Sequence, residues 1–129
     1  MDSLSIRPPE PNLPATYWNT LTNEDRAEFI KLRTQLHQSQ KTSVKDRRLV
    51  SFSNEMTAIL AFLERTEAGH EQRSILAGVA FAGPFICVNT RQLKSFLGRC
   101  KSSINGSFQQ LGYVAVRTKS KAYAISRSL

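Results

Sequence analysis

The segment from Lys101 to Leu111 carries side chains suited to hydrogen bonding with a nucleic acid rather than to catalysis. At about 100° per residue in a helix, one sector is apolar and is expected to face the core: Ile104, Phe108 and Leu111. The opposite sector has no acid and holds small or amide residues: Ser102, Ser103, Gly106, Gln109 and Gln110. Arg99 stands at the entrance to this helix, and Asn105 lies at the flank of the polar sector.

Side chains of these types hydrogen-bond to base edges and phosphates in a DNA major groove. The candidates for base contacts are Arg99, Asn105 and Gln109, and the candidates for phosphate contacts are Lys101, Ser102 and Ser103. An ordinary solvated helix surface is the alternative. The absence of acids, the short turn before the helix and the basic hairpin after it favour DNA binding.

Gly106 sharpens this prediction, because glycine inside a helix costs roughly 1 kcal/mol relative to alanine. On a face pressed into a groove, the missing side chain lets the helix backbone approach DNA closely. A kink or a close crossing with another helix are the alternatives. The position of Gly106 opposite the apolar sector argues against the crossing.

Positive charge is concentrated in the second part of the 129-residue chain. Residues 1–71 hold nine Lys and Arg against ten Asp and Glu, whereas residues 72–129 hold nine basic residues and no acid. Such a field attracts a polyanion, most commonly a phosphate backbone. Lys119 and Lys121 at the predicted hairpin tip would bind phosphates, or would only discourage strand pairing. The loop cations Lys45, Arg47 and Arg48 would reach a minor groove, or would only be solvated.

No arrangement of residues predicts an enzyme, a metal site or a cofactor. His37 and His70 have no ligand spacing with Cys87 or Cys100, and Cys100 lies between two basic residues without a plausible base. No apolar stretch approaches the roughly 18 residues of a membrane span. We therefore expect an intracellular, non-enzymatic protein with two reduced thiols.

The elements expected before residue 85 are an arm and three helices. Four prolines predict an extended arm over residues 1–20, with Tyr17 and Trp18 docked on the body. Helical spacing and capping residues then predict these elements: a helix from Thr22 to about Gln38, a loop at Gln40–Arg48, a helix containing Phe52–Leu63, and a helix over Glu71–Ala82.

The order of the later elements is that of a winged helix-turn-helix. The predicted elements are a strand at Phe85–Val88, a helix from Asn89 or Thr90 to Gly98, the Lys101–Leu111 helix, and strands at Tyr113–Val116 and Ala122–Ile125. We therefore predict one mainly α (α+β) domain over residues 21–129. It is a winged helix with additional N-terminal helices and a small C-terminal β-hairpin wing.

The run from Arg99 to Tyr113, RCKSSINGSFQQLGY, resembles the initiator-binding domain family of trichomonad core-promoter factors. The similarity extends over nearly the whole chain, including the Pro-rich N-terminus and the basic loop. The resemblance implies a nuclear domain that binds double-stranded promoter DNA at the initiator element, with the Lys101–Leu111 helix in the major groove. It also implies that Lys45, Arg47 and Arg48 contact the minor groove or the backbone. In this family a separate C-terminal domain is thought to engage RNA polymerase II.

Two other functions fit the basic surface. A winged-helix module could instead bind an acidic protein, and failure to bind promoter duplex would favour that function. An RNA-binding module is the second alternative. The lack of a dense aromatic platform argues against recognition of single strands by stacking, but it does not argue against binding of duplex RNA.

Overall fold

The protein is described by a computed structural model over residues 8–9, 13–42, 48–116 and 122–125. Within these residues it is mainly helical with a small antiparallel sheet. The helices are α1 (Ala15–Thr20), α2 (Asn23–Thr42), α3 (Arg48–Leu63), α4 (His70–Ala77), α5 (Thr90–Leu97) and α6 (Lys101–Gln110). The strands are β1 (Val79–Ala82), β2 (Phe85–Val88), β3 (Tyr113–Val116) and β4 (Ala122–Ile125).

Local capping explains why several helices begin where the sequence predicts. The Thr22 hydroxyl accepts a hydrogen bond of 3.0 Å from the Asp25 backbone N–H at the start of α2. The Asn89 side chain accepts from the Gln92 N–H at the start of α5, which ends at Gly98. The short connection from Gly98 to Lys101 then leads directly into α6.

The N-terminal prediction is wrong in one respect, because Ala15–Thr20 is a helix rather than part of an extended arm. Pro14 precedes the first turn and needs no donor there, while its carbonyl accepts from the Trp18 N–H at 3.0 Å. Trp18 is buried as expected, with 2% of its surface exposed, whereas Tyr17 stays exposed.

The predicted helix over Glu71–Ala82 is wrong in its second half, where strand β1 replaces it. Gly78 ends α4 with a φ of 88°, in the left-handed region that terminates helices. A Cβ at Gly78 would collide with the backbone nitrogen of Leu93, because the chain between α4 and β1 packs closely against α5. Short apolar runs fit a helix and a strand equally well, and pairing with β2 decides the outcome.

The predicted loop at Gln40–Arg48 is too long at both ends. Helix α2 continues to Thr42 and α3 begins at Arg48. Residues 43–47 lie outside the described residues. The end of α2 and the start of α3 are joined through side chains, since the Gln40 amide and the Ser51 hydroxyl both donate to Glu55.

The four described strands form one antiparallel sheet in the order β1-β2-β4-β3. Tyr113 of β3 lies opposite Ile125 of β4, and Ala124 of β4 lies opposite Phe85 of β2. The strands predicted at 113–116 and 122–125 are therefore confirmed as an antiparallel pair. They join an earlier hairpin formed by β1 and β2, of which only β2 was predicted from the sequence.

The core is continuous and has aromatic contacts at two places. Phe29 of α2 stacks on Phe96 of α5 at 4.6 Å between centroids and meets Trp18 edge-on at 5.4 Å. Phe52 of α3 meets Phe108 of α6 edge-on at 5.1 Å. The second contact fixes α6 on the helical body, and α6 is the element that carries most of the predicted binding residues.

Candidate nucleic-acid interface

Helix α6 is held through its apolar side. Ile104 and Phe108 are fully buried. The prediction that Leu111 also faces the core is wrong, because Leu111 caps the helix beyond its last turn and is exposed. Tyr113 instead packs against Phe108, with 5.6 Å between the ring centroids.

The opposite side of α6 forms what we call the polar face: Ser102, Ser103, Asn105, Gly106, Gln109 and Gln110. Ser102, Gln109 and Gln110 are exposed, and the other three residues are partly exposed. Lys101 is exposed at the start of the helix. The helix thus presents neutral hydrogen-bond donors and acceptors, and it belongs to the part of the chain after Glu71, which contains no acid.

Gly106 faces open space. A Cβ built at this position meets no heavy atom within 4 Å, once the backbone of its own helix is set aside. A close crossing with another described element therefore does not account for this glycine. Its φ is not positive either, so the backbone conformation alone does not require glycine.

Arg99 differs from the other predicted contact residues whose side chains the structure describes, because its side chain is buried, with 7% of its surface exposed. Its Nε and Nη2 donate to Glu55 Oε1 and Oε2 at 2.9 and 3.0 Å. Its Nη1 donates to the Ser103 hydroxyl at 2.9 Å. The guanidinium also lies 5.3 Å from the centroid of the Phe52 ring. Arg99 therefore attaches the start of α6 to α3.

An open groove of about 720 Å³ lies beside the N-terminus of α6. Three exposed cations line it: Arg91, Lys94 and Lys101. None of the three pairs with an acid in the part of the chain that the structure describes. His37 also lines the groove, and its Nε2 lies 2.8 Å from the Ser95 carbonyl oxygen.

Arg91 and Lys94 were not among the binding residues predicted from the sequence. A signal was available, because the two residues are three apart on α5 and therefore share a helix face. That helix directly precedes the predicted recognition helix. The two cations extend the basic surface from α6 onto α5.

Cys100 occupies the N-cap position of α6 and is exposed. The Ser102 hydroxyl, 3.3 Å from Sγ, and the backbone N–H of Ser103 lower the pKa of the Cys100 thiol. Donors at the first turn of a helix stabilise the thiolate in the way that they stabilise other anions. The thiol is therefore a sensitive probe of this end of the helix.

Several predicted binding residues lie outside the described residues or lack a described side chain. Lys45, Arg47, Lys119 and Lys121 belong to the first group. Arg48 is the first residue of α3, and only its backbone position is described. Their contacts with DNA stay predictions.

The described part of the chain holds no group of three or more His, Cys, Asp or Glu side chains arranged for a metal ion. Among the described helices, none combines the length and apolar content needed to cross a lipid bilayer. The candidate functional features of the described residues are the polar face of α6, the basic groove beside it and the buried Arg99.

Comparison with known families gives one result. A family model for a transcription-initiator DNA-binding domain, abbreviated IBD, matches residues 23–128. The match includes α2 to α6 and the four strands that the structure describes. No curated protein and no solved structure matches the chain significantly.

Proposed function

The chain belongs to the transcription-initiator DNA-binding domain family, and from this premise we propose that it recognises the initiator element at the transcription start site in a sequence-specific manner. The observation that carries the proposal is the polar face of α6. Its residues are exposed or partly exposed, and its Ser, Asn and Gln side chains are of types that can hydrogen-bond to base edges.

In the proposed complex, α6 enters the major groove with its polar face towards the bases. Asn105 and Gln109 are the proposed base contacts, and Gln110 supplements them from the end of the helix. Amide side chains bind adenine through two hydrogen bonds, and each such pair contributes about 1–3 kcal/mol of discrimination. Gly106 allows the helix backbone to approach the bases.

The phosphate contacts are proposed to come from the residues around this face. Lys101 and Ser102 lie at the start of α6, and Arg91 and Lys94 extend the same basic surface onto α5. Lysine and arginine contacts to phosphates bring affinity without sequence information. The hairpin cations Lys119 and Lys121 would add contacts of the same kind from the wing of a winged-helix fold.

The segment before α3 is proposed to bind a second part of the duplex. Lys45, Arg47 and Arg48 would contact the minor groove or the backbone, where arginine is favoured by narrow A·T-rich sequence. We also propose a nuclear location and a role beside the RNA polymerase II machinery, with the polymerase contact made by a separate domain.

The test compares binding to three nucleic acids at physiological salt: initiator duplex, scrambled duplex and RNA of matching sequence. Asn105→Ala and Gln109→Ala are each expected to lower the preference for the initiator by about 1–3 kcal/mol. Gln35→Ala, an exposed glutamine of α2, is the matched control and is expected to leave the preference unchanged. Fluorescence anisotropy measures all affinities.

Three outcomes would contradict the proposal. If Asn105→Ala and Gln109→Ala both fold normally and keep the full preference, α6 does not read the bases. If the protein binds no duplex at physiological salt, a protein-interaction module is favoured. If RNA binds more tightly than the initiator duplex, the domain is an RNA-binding module.

A further inference from the structure

We propose that Ser103 is a specificity-determining hydrogen-bond donor on the polar face of α6, and that the buried Glu55–Arg99 pair holds it in that role. This inference rests on the proposed function, because it names one interaction within the proposed DNA interface. It assigns Arg99 as a positioning residue rather than a base contact.

The orientation of the Arg99 guanidinium is fixed by two hydrogen bonds to one carboxylate. Nε and Nη2 of Arg99 bind the two oxygens of Glu55 at 2.9 and 3.0 Å. Such a forked arrangement sets the plane of the guanidinium as well as its position. The remaining terminal nitrogen, Nη1, is thereby directed at Ser103 Oγ, 2.9 Å away.

The carboxylate of Glu55 is itself held by two further donors, one on its own helix α3 and one on α2. Its Oε2 accepts from the Ser51 hydroxyl at 2.8 Å and from the Gln40 amide nitrogen at 3.0 Å. Both Glu55 and Arg99 are buried, so water does not compete strongly for these bonds. The pair is a rigid support that joins the end of α2, the start of α3 and the start of α6.

The bond from Arg99 determines what the Ser103 hydroxyl offers to a ligand. A serine hydroxyl has one hydrogen to donate and two lone pairs that accept. Arginine only donates, so it occupies a lone pair of Ser103 and leaves the hydroxyl hydrogen available. The Ser103 hydroxyl donates no hydrogen bond to another described residue. A hydroxyl that accepts from a cation also becomes a stronger donor.

A donor at this position requires an acceptor on the DNA. In the major groove the acceptors are guanine O6 and N7, adenine N7 and thymine O4, whereas the cytosine N4 amino group only donates. A phosphate oxygen offers the same chemistry without sequence information. Ser103 is partly exposed at the third residue of α6, and residues near the start of a recognition helix are those that contact base edges. We therefore expect the base acceptor.

The first experiment removes and then restores the donor. Ser103→Ala is expected to weaken binding to the initiator duplex about three- to tenfold, the usual range for one hydrogen bond. Ser103→Thr keeps the hydroxyl and is expected to restore most of this loss. Ser53→Ala, an exposed serine on α3, is the matched control and should bind like the unmodified protein.

Modified duplexes identify the acceptor. Single base-pair replacements across the initiator should reveal one position at which Ser103→Ala no longer distinguishes the bases, and 7-deazapurine substitution tests an N7 acceptor there. A methylphosphonate scan tests each phosphate in the same way. Loss of the Ser103→Ala effect at a methylphosphonate alone would overturn the assignment to a base.

The second experiment tests the positioning role of Arg99. Arg99→Lys keeps the charge opposite Glu55 but lacks the fork that reaches both partners. In this background the loss caused by Ser103→Ala should fall below about twofold, which makes the two changes non-additive. A purely structural Arg99 would leave the loss unchanged in the variant, and that result would overturn the inference.

Failure of the inference is distinguishable from failure of the proposed function. If the unmodified protein prefers the initiator but Ser103→Ala binds as tightly, the inference is wrong and the proposed function stands. If the unmodified protein shows no preference, the proposed function is wrong. If Arg99→Lys does not fold, the Ser103→Thr rescue and the modified duplexes still decide whether Ser103 is a donor.

Discussion

Replacing Gly106 by alanine should change stability and DNA affinity in opposite directions. Alanine is favoured over glycine in a helix interior by about 0.8–1.0 kcal/mol. The added methyl group meets nothing within 4 Å outside the helix's own backbone, so no packing strain offsets this gain. For a domain of 129 residues, such a gain raises Tm by about 3–4 °C.

The effect on binding follows from the distance that the proposed complex requires. If the backbone at Gly106 approaches the bases closely, a methyl group at this point must displace DNA or tilt the helix. Forcing extra atoms into a well-packed contact typically costs about 1–3 kcal/mol. The initiator duplex should therefore bind more weakly by this amount, although the free protein is more stable.

Thermal unfolding followed by circular dichroism measures the first effect, and fluorescence anisotropy with initiator duplex measures the second. Thr57→Ala is a suitable control, since Thr57 is exposed in α3 and donates only to the Ser53 carbonyl of its own helix. It should raise stability slightly without changing affinity. A Gly106→Ala protein that is more stable and binds DNA normally would refute the close approach, and a less stable one would indicate a structural need for glycine.

Three further predictions address other parts of the surface and the core. Lys94→Ala should weaken binding to initiator and scrambled duplexes equally and reduce the slope of log affinity against log salt by about one. Lys31→Ala on α2 is the control and should change neither the affinity nor the slope. An unchanged slope for Lys94→Ala would mean that the groove is not part of the interface. Because its pKa is lowered, the Cys100 thiol should reach half-maximal alkylation by iodoacetamide below the pH typical of a free cysteine, and bound initiator duplex should slow this reaction. Mass spectrometry measures the alkylation of Cys100 and Cys87 separately. Equal rates of Cys100 alkylation with and without DNA would contradict the proposed docking. Arg73→Met should lower the free energy of unfolding by about 3 kcal/mol, because it leaves a buried carboxylate with one partner fewer; chemical denaturation measures this, and a loss below 1 kcal/mol would contradict it.

The sequence predicted the part of the fold that local signals control. The α5–α6 unit is the clearest case, because the Asn89 cap, the stop at Gly98 and the apolar spacing of Ile104 and Phe108 all act within a few residues. The strands at 113–116 and 122–125 followed from alternation over short runs. Each of these signals is independent of distant parts of the chain.

The errors arise where distant contacts decide. Strand β1 exists because β2 pairs with it along its whole length, and an apolar run alone does not reveal that partner. Helix α1 forms against the body through Trp18, whose ring meets Phe29. Arg99 shows the same effect in the candidate site, since its buried side chain pairs with Glu55, 44 residues away in the sequence. Its position at the entrance to α6 was predicted from the sequence, whereas its burial against α3 was not.

The same distant pairs revise the charge argument. Two of the nine basic residues after Glu71 are buried against acids of the first part of the chain: Arg73 donates to Asp25 at 2.8 Å and Arg99 to Glu55 at 2.9 Å. Of the other seven, Arg91, Lys94 and Lys101 are exposed, and the remaining four lie outside the described residues. Part of the positive charge in the acid-free C-terminal region therefore serves folding, because its two buried arginines pair with carboxylates of α2 and α3.

This division predicts a difference between two kinds of cation. Arg73→Met removes a positive charge but should leave the salt dependence of DNA binding unchanged, because Arg73 is fully buried and contacts no phosphate in the proposed complex. Lys94→Ala removes the same charge and should change it by about one unit of slope. The comparison is made at a temperature at which both proteins are folded. A reduced slope for Arg73→Met would mean that net charge, rather than individual phosphate contacts, controls the affinity of this domain.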